Sequence, residues 1–95
     1  MNLVVKELAS RSIARTGVWI ESENTAGSGI RWIRKVYETL EGNAQAGVKY
    51  ALCKNTKLAA LKYHCFTYND KWVVAYRMIG DNFVVYRFIF GAKLV

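Results

Sequence analysis

The sequence lacks proline altogether and has only two cysteines among its 95 residues. Neither a Cys-x-x-Cys motif nor a second pair accompanies Cys53 and Cys65, so the spacing predicts neither a zinc site nor a disulfide framework. We therefore expect two reduced thiols in a cytoplasmic protein that holds no metal or cofactor. No run approaches the ~18 apolar residues of a membrane span, and the N-terminus lacks the features of a signal peptide, which predicts a soluble chain that is not exported.

Acidic residues are also scarce, and they are unevenly placed. Seven Asp and Glu residues stand against 14 Lys and Arg, a net charge of +7. Residues 1–42 contain six basic and five acidic side chains, whereas residues 43–95 contain eight basic side chains and only Asp70 and Asp81. This distribution indicates an acidic partner, such as nucleic acid, an anionic surface or an acidic protein segment, on the second half of the chain.

The hydrophobic residues that are present predict one α+β domain. With 53% hydrophobic residues, the chain can bury a core, but residues 1–95 are too few for a second domain. Periodicity divides it into a strand, two helices and three strands. The predicted elements are a strand from Leu3 to about Leu8, helices from Ser10 to about Glu23 and from Thr25 or Ser28 to Gly42, and strands over Leu58–Phe66, Trp72–Ile79 and Phe83–Phe90.

The two helices are close enough in sequence to form an antiparallel helical hairpin. Ile30, Ile33, Tyr37 and Leu40 recur at helical spacing on the second helix. Residues 42–56 are predicted to be a connection with a short turn of helix at Ala44–Val48. The architecture is then β-α-α-β-β-β, one mostly antiparallel sheet with the helices on one face.

The last two strands are joined by the turn sequence Gly80-Asp81-Asn82, and Tyr68-Asn69-Asp70 predicts the turn before them. A three-residue loop would place Ala75 opposite Arg87 and Arg77 opposite Val85. Alternation then assigns one set of side chains to the face that packs on the helices: Trp72, Val74, Tyr76, Met78, Val84, Tyr86, Phe88 and Phe90.

The other face of the predicted sheet is basic. Alternation places Arg77, Arg87 and Lys93 on it, and Lys62 and His64 share one face of the preceding strand. If Lys62 and His64 lie on the same face of the sheet as the arginines, these five side chains form a patch that could hold phosphates. His64 could deprotonate a ribose 2′-hydroxyl while lysine or arginine stabilises the developing charge. The alternatives are a solvated sheet face and a structural histidine.

Tryptophans mark a second candidate surface on the hairpin. Trp19 and Trp32 lie one on each predicted helix, where core packing is the simpler expectation. An apolar stripe exposed at the hairpin tip or at the sheet edge would instead indicate a groove for a partner helix or strand.

In the order of its predicted elements and in several short sequence segments, the chain resembles the RelE/ParE superfamily of bacterial type II toxins over nearly its whole length. The end of the first helix, Trp19-Ile20-Glu21-Ser22-Glu23-Asn24, is similar to the family's aromatic residue, isoleucine and Glu-x-Asn. The C-terminal third is more similar to the family than the first helix is. It has an aromatic strand ending in Tyr-Arg, a Gly-Asp turn, a hydrophobic strand with arginine, and a closing Gly-x-basic sequence. These segments are Trp72-Val73-Val74-Ala75-Tyr76-Arg77, Gly80-Asp81-Asn82, Val84-Val85-Tyr86-Arg87-Phe88-Ile89 and Gly91-Ala92-Lys93.

The resemblance implies a small basic toxin that arrests growth and is neutralised by a cognate antitoxin, in a homodimer or a toxin–antitoxin hetero-oligomer. RelE-like members cleave messenger RNA in the ribosomal A site, and ParE-like members poison DNA gyrase. Lys62 and His64 match two basic positions of the RelE strand, and Lys93 matches the closing arginine. Val73, however, stands where RelE nucleases carry arginine, and the chain ends at Val95, before the segment that supplies the RelE catalytic tyrosine.

These departures favour a ParE-like gyrase inhibitor. Two alternatives stay open: a metal-independent, ribosome-dependent mRNA endoribonuclease of RelE type, and an inactive toxin fold that serves as a binding module or corepressor.

Overall fold

The computed structural model describes residues 1–47 and 49–93. Its single sheet has the strand order β1-β4-β3-β2, in which β1 runs parallel to β4 and the other neighbours are antiparallel. The predicted α+β architecture, with helices on one side of a mostly antiparallel sheet, is confirmed. The elements are β1 (Asn2–Val5), α1 (Glu7–Glu23), α2 (Ser28–Ala46), α3 (Thr56–Ala60), β2 (His64–Tyr68), β3 (Trp72–Ile79), β4 (Asn82–Phe90) and a 3-10 helix (Gly91–Lys93).

The first helix begins earlier than predicted. Lys6 is its N-cap residue, and the Lys6 carbonyl accepts the first helical bond from the backbone N–H of Ser10. Ser10 is therefore inside the helix, where its hydroxyl donates to the Glu7 carbonyl, and the assignment of Ser10 as N-cap is wrong. The backbone N–H of Lys6 also donates to the Val85 carbonyl of β4, so bonding to the sheet continues up to the residue that caps α1. The strand β1 therefore ends at Val5, three residues before its predicted end near Leu8.

The second helix starts at Ser28, the later of the two predicted starts, and continues past Gly42. Gly27, at a φ of 86°, is its N-cap residue in place of Thr25. Gly47, at a φ of 63°, ends it with a backbone bond to Asn43, which is the αL termination that favours glycine. The predicted turn of helix at Ala44–Val48 is thus the last turn of α2 as far as Ala46, and Val48 lies outside the described residues.

A carboxylate from the first helix caps the second. The two carboxylate oxygens of Glu21 accept the backbone N–H groups of Gly27 and Gly29, at 2.6 and 2.8 Å. These donors would otherwise be unsatisfied at the N-terminus of α2. The two hydrogen bonds hold the pKa of Glu21 below its ordinary value of 4.5, with a smaller contribution from Arg31.

We expect Glu21→Gln to lower the thermal midpoint at pH 7, because the amide NH2 cannot accept a backbone N–H. A depressed carboxylate pKa stabilises the fold above the unfolded pKa, and this stabilisation is lost as the pH falls through the folded pKa. The difference between the two proteins should therefore shrink below about pH 4.5. Thermal unfolding of both proteins, followed by circular dichroism from pH 7 to pH 3, measures this difference in thermal midpoint. The control is Glu23→Gln, at an exposed neighbouring position. A constant difference at every pH would contradict the capping role.

The core lies between the helices and one face of the sheet, called here the helix face. Buried residues recur at intervals of four on α1 and of seven and four on α2, which gives each helix one buried stripe. The sheet contributes side chains from β2, β3 and β4. The buried core consists of Ala9 and Ile13 from α1, Val36, Leu40 and Ala44 from α2, and Tyr68, Val74, Tyr76, Phe83, Val85 and Phe88 from the sheet.

The register of the last hairpin differs from the prediction. The loop has two residues, because Ile79 pairs with Asn82 and Arg77 pairs with Val84. A bulge then follows, since Tyr76 pairs with Val85 while its neighbour Ala75 pairs with Arg87. The bulge leaves Tyr86 as the extra residue of β4 and restores the predicted pairing of Ala75 with Arg87.

The shifted register changes which β4 side chains reach the helices. Phe83 and Val85 are in the core, and the assignment of Val84 and Tyr86 to the helix face is wrong. Phe88 was placed correctly, because the bulge reverses the shift that the shorter loop introduces.

The chain before β2 is helix and turn where a strand was predicted. Leu58 lies in α3, and the strand begins only at His64, so the predicted strand Leu58–Phe66 is wrong over its first six positions.

The two cysteines form a disulfide, with Cα atoms 4.8 Å apart, and the expectation of two reduced thiols is also wrong. An isolated bridge between Leu52 and His64 brings the cysteine-bearing segments together. By chain entropy alone, a crosslink over a loop of this length contributes about 3 kcal/mol.

Candidate functional site

Two of the predicted site residues share the outer face of the sheet, the face turned away from the helices. Arg87 lies opposite Ala75 across the β3–β4 pairing, and Arg77 is two positions from Ala75 on the same strand. Both arginines are exposed. Their common face is as predicted, although Arg77 pairs with Val84 and not with Val85.

The other predicted patch residues do not join them on this face. Lys62 is not on a strand: it lies in the turn after α3, at a φ of 64°, which is uncommon for a lysine. His64 pairs with Tyr76, a core residue, so His64 lies on the helix face. Lys93 ends the 3-10 helix, and its side chain lies outside the described part of the chain. The predicted five-residue sheet patch is therefore wrong as a single surface.

Three of these residues meet instead at the end of the sheet. Lys62, His64 and Arg77 line a cavity of about 240 Å³ together with Lys49, and we call this the basic cavity. No carboxylate is among the described residues that line it. The cavity sits where β3 extends beyond β2, because the last β2 partner along β3 is Tyr76.

The wall of the basic cavity is held by hydrogen bonds around Tyr50. The His64 ring nitrogen Nδ1 lies 2.7 Å from the Tyr50 carbonyl, and because a carbonyl can only accept, Nδ1 is the donor. The Tyr50 backbone N–H donates to the Tyr76 hydroxyl at 2.9 Å, and the Tyr50 hydroxyl donates to Oδ1 of Asn43. The Tyr50 ring also stacks on Phe66. Lys49 is therefore attached to a fixed stretch of backbone.

These contacts define what the cavity can do chemically. With Nδ1–H committed to Tyr50, Nε2 is the nitrogen of a neutral His64 that can take up a proton. Burial raises the pKa of the Tyr76 phenol, which the Tyr50 N–H only partly offsets, so Tyr76 stays protonated at neutral pH. Lys49, Lys62 and Arg77 supply positive charge for an anion. Lys49 is not among the site residues predicted from the sequence, because its place depends on the Tyr50 contacts.

A second candidate surface lies at the end of the helical hairpin where a short loop joins α1 to α2. Val18, Trp19 and Ile30 are 71%, 62% and 64% exposed. An added Cβ at Gly29 would contact the backbone of Gly17, so the two helices touch within two residues of all three side chains. We call Val18, Trp19 and Ile30 the hairpin tip.

The hairpin tip resolves the two expectations for the tryptophans. Trp32 packs edge-on against Trp72 and Phe88, at ring-centroid distances of 5.8 and 6.0 Å, as expected of a core residue. Trp19 and Ile30 are exposed, contrary to the core packing expected of Trp19 and the stripe predicted for Ile30. The same two helices also carry exposed charged side chains, including Glu23 and the basic residues Arg15, Arg31, Arg34 and Lys35.

In the part of the chain that the structure describes, no group of three or more His, Cys, Asp or Glu side chains is placed to hold a metal ion. None of its helices combines the length and the apolar character that crossing a membrane requires.

Comparisons with known proteins give no match to the chain among family models, curated proteins or solved structures.

Proposed function

We propose that this chain is a growth-inhibiting toxin of the RelE/ParE type, and that it acts as a ParE-like binding module on DNA gyrase. The observation that carries the proposal is the hairpin tip, where three large apolar side chains are exposed on a domain of the predicted architecture. Exposed apolar groups beside charged ones are typical of protein interfaces, in which tryptophan and arginine contribute most of the binding energy.

Binding of this kind inhibits an enzyme without chemistry of its own. A ligand with higher affinity for one conformation of its target shifts the population toward that conformation. The net charge of +7 also supports a cognate antitoxin with an acidic segment, because acidic disordered chains fold onto basic surfaces.

A second candidate is ribosome-dependent mRNA cleavage, and one observation favours it. The basic cavity gathers Lys49, Lys62, His64 and Arg77 without a lining carboxylate. In that case Nε2 of His64 would accept the 2′-hydroxyl proton, and the cations would stabilise the charge that develops on the phosphate. Arg87 is not among the cavity-lining residues and would serve only to position the RNA.

The gyrase proposal predicts that Trp19→Ser weakens inhibition of DNA supercoiling by purified gyrase about 30-fold. Such a change corresponds to about 2 kcal/mol, the usual cost of truncating a central interface tryptophan. The matched control is Leu8→Ser, which removes an exposed apolar side chain, 57% accessible, near the other end of the same helix. Both side chains are exposed, so both variants should fold.

The variant Lys62→Ala separates the two candidates when each protein is induced in a bacterial host. If the chain is a gyrase inhibitor, growth arrest persists in Lys62→Ala and weakens in Trp19→Ser. The opposite pattern, with new RNA 5′ ends phased to the reading frame, would establish the nuclease. Induction of the unaltered chain without growth arrest would leave the inactive binding module or corepressor.

A further inference from the structure

Residues 51–63, called here the cover segment, wrap around the edge of β2 from one sheet face to the other. Just before the segment, the Tyr50 ring packs on Phe66 and Tyr76 at the helix face. The segment then crosses the edge at the Leu52–His64 bridge, and Leu58 of α3 becomes buried in a separate cluster with Ala75, on the outer face. The centre of the outer face, between Arg77 and Arg87, is thereby covered.

Few contacts besides the disulfide hold the cover segment in place. One backbone bond joins it to β2, from the Cys65 N–H to the Ala51 carbonyl at 3.2 Å. A second, from the Cys53 N–H to the Tyr63 carbonyl at 3.0 Å, lies within the segment. The Tyr63 ring stacks on Tyr86, the bulged residue of β4, at 4.8 Å. Among the described residues, no salt bridge or side-chain hydrogen bond ties the segment to the sheet.

The local structure within the cover segment has little stability by itself. Its helix α3 has five residues, too few to persist without tertiary contacts. Asn55 caps it by accepting the backbone N–H groups of Lys57 and Leu58, and both bonds are internal to the segment. Apart from the main chain that continues from Tyr63 into His64, the disulfide is therefore its one covalent attachment to β2.

An attacking thiolate can reach the disulfide on the side of Cys65, which is partly exposed, whereas Cys53 is buried. Cys53 and Cys65 both line a cavity of about 610 Å³ that runs along the β2 edge, next to Thr67 and Val73. Lys54 is the charged residue among the described lining residues, and its ammonium group would attract an anionic nucleophile. This cavity is distinct from the basic cavity, because the two have no lining residue in common.

We propose that the Cys53–Cys65 disulfide is a redox modification site, and that its reduction by a dithiol releases the cover segment and uncovers the outer face of the sheet. A thiolate of the dithiol attacks Sγ of one cysteine, forms a mixed disulfide and displaces the other cysteine as a thiolate. The second thiol of the reductant then displaces the first cysteine. In total the protein gains two electrons and two protons, and the dithiol is oxidised to its disulfide.

Release of the segment changes the surface that the protein presents. Ala75, fully buried in the oxidised form, becomes accessible between the exposed Arg77 and Arg87. The helix-face core does not include the segment, so the rest of the fold persists. The proposal goes beyond the toxin function and does not depend on it, because every readout below is made on purified protein.

Limited digestion with trypsin tests the release. The cover segment contains three cleavage sites, after Lys54, Lys57 and Lys62, and helix α2 supplies internal control sites after Arg34 and Lys35. The oxidised chain is digested with and without prior treatment with dithiothreitol, and the peptides are quantified by mass spectrometry. We expect cleavage in the segment to accelerate at least tenfold on reduction, with the α2 sites unchanged.

The double variant Cys53→Ser, Cys65→Ser should match the reduced chain and show no response to dithiothreitol. Its circular dichroism spectrum and thermal transition show whether the fold persists. Equal cleavage of the oxidised and reduced chains would overturn the proposal, as would equal acceleration of the α2 sites, which signals global unfolding. Resistance of the disulfide to dithiothreitol without denaturant, or purification of the chain with two free thiols under oxidising conditions, would overturn it too.

Discussion

Replacing Gly29 with alanine is expected to lower the free energy of unfolding by about 3 kcal/mol, because the added methyl group has no room at the helix crossing. A Cβ at Gly29 would collide with the backbone carbonyl oxygen of Gly17 and would lie 3.1 Å from the Glu21 side chain. A backbone atom cannot rotate away as a side chain can. The helices would have to separate, and the cap that Glu21 places on α2 would be strained as well.

The same substitution at Gly42 is the matched control. Gly42 is an exposed glycine in α2, and an added Cβ there meets nothing within 4 Å. Gly42→Ala should therefore stabilise the chain by roughly 0.5–1 kcal/mol through helix propensity. Urea unfolding measures both changes. If both variants shift the midpoint in the same direction and by similar amounts, the close approach of the helices is not what Gly29 provides.

Replacing Phe88 with alanine is expected to cost about 4 kcal/mol, in the range of large aromatic truncations in a core. Phe88 is 1% exposed. Its ring centroid lies 6.0 Å from that of Trp32 in α2 and 5.3 and 6.2 Å from those of Trp72 and Tyr68 in the sheet. The ring therefore joins the second helix to three strands, and its removal leaves a cavity that rigid neighbours fill poorly.

Phe90→Ala is the control for this prediction. Phe90 lies two positions further along the same strand, contacts Trp72, and is 39% exposed. Because much of its ring is already in solvent, its loss should cost only ~1 kcal/mol. Chemical denaturation of the two variants gives the comparison. Equal costs would contradict the described packing, in which Phe88 is enclosed by the core and Phe90, on the same face, lies at its rim.

Part of the candidate site could be predicted because it depends on local pattern. The alternation of Trp72, Val74 and Tyr76 assigned β3 to its correct face, and Arg77 followed on the other side. His64 could not be placed in this way. Its face depends on where β2 begins, and that start is decided by α3 and by the strained turn at Lys62.

The sequence by itself determined the order of the four strands and the two long helices, and the faces of β3. Each of these follows from side-chain spacing over a few neighbouring residues, and local spacing is legible without the fold. Only the tertiary structure decided the bulge at Tyr86, the cap from Glu21, the pairing of Cys53 with Cys65 and the basic cavity. The reason is that each joins segments separated along the chain, and such contacts form only when the packing of the whole domain brings those segments together.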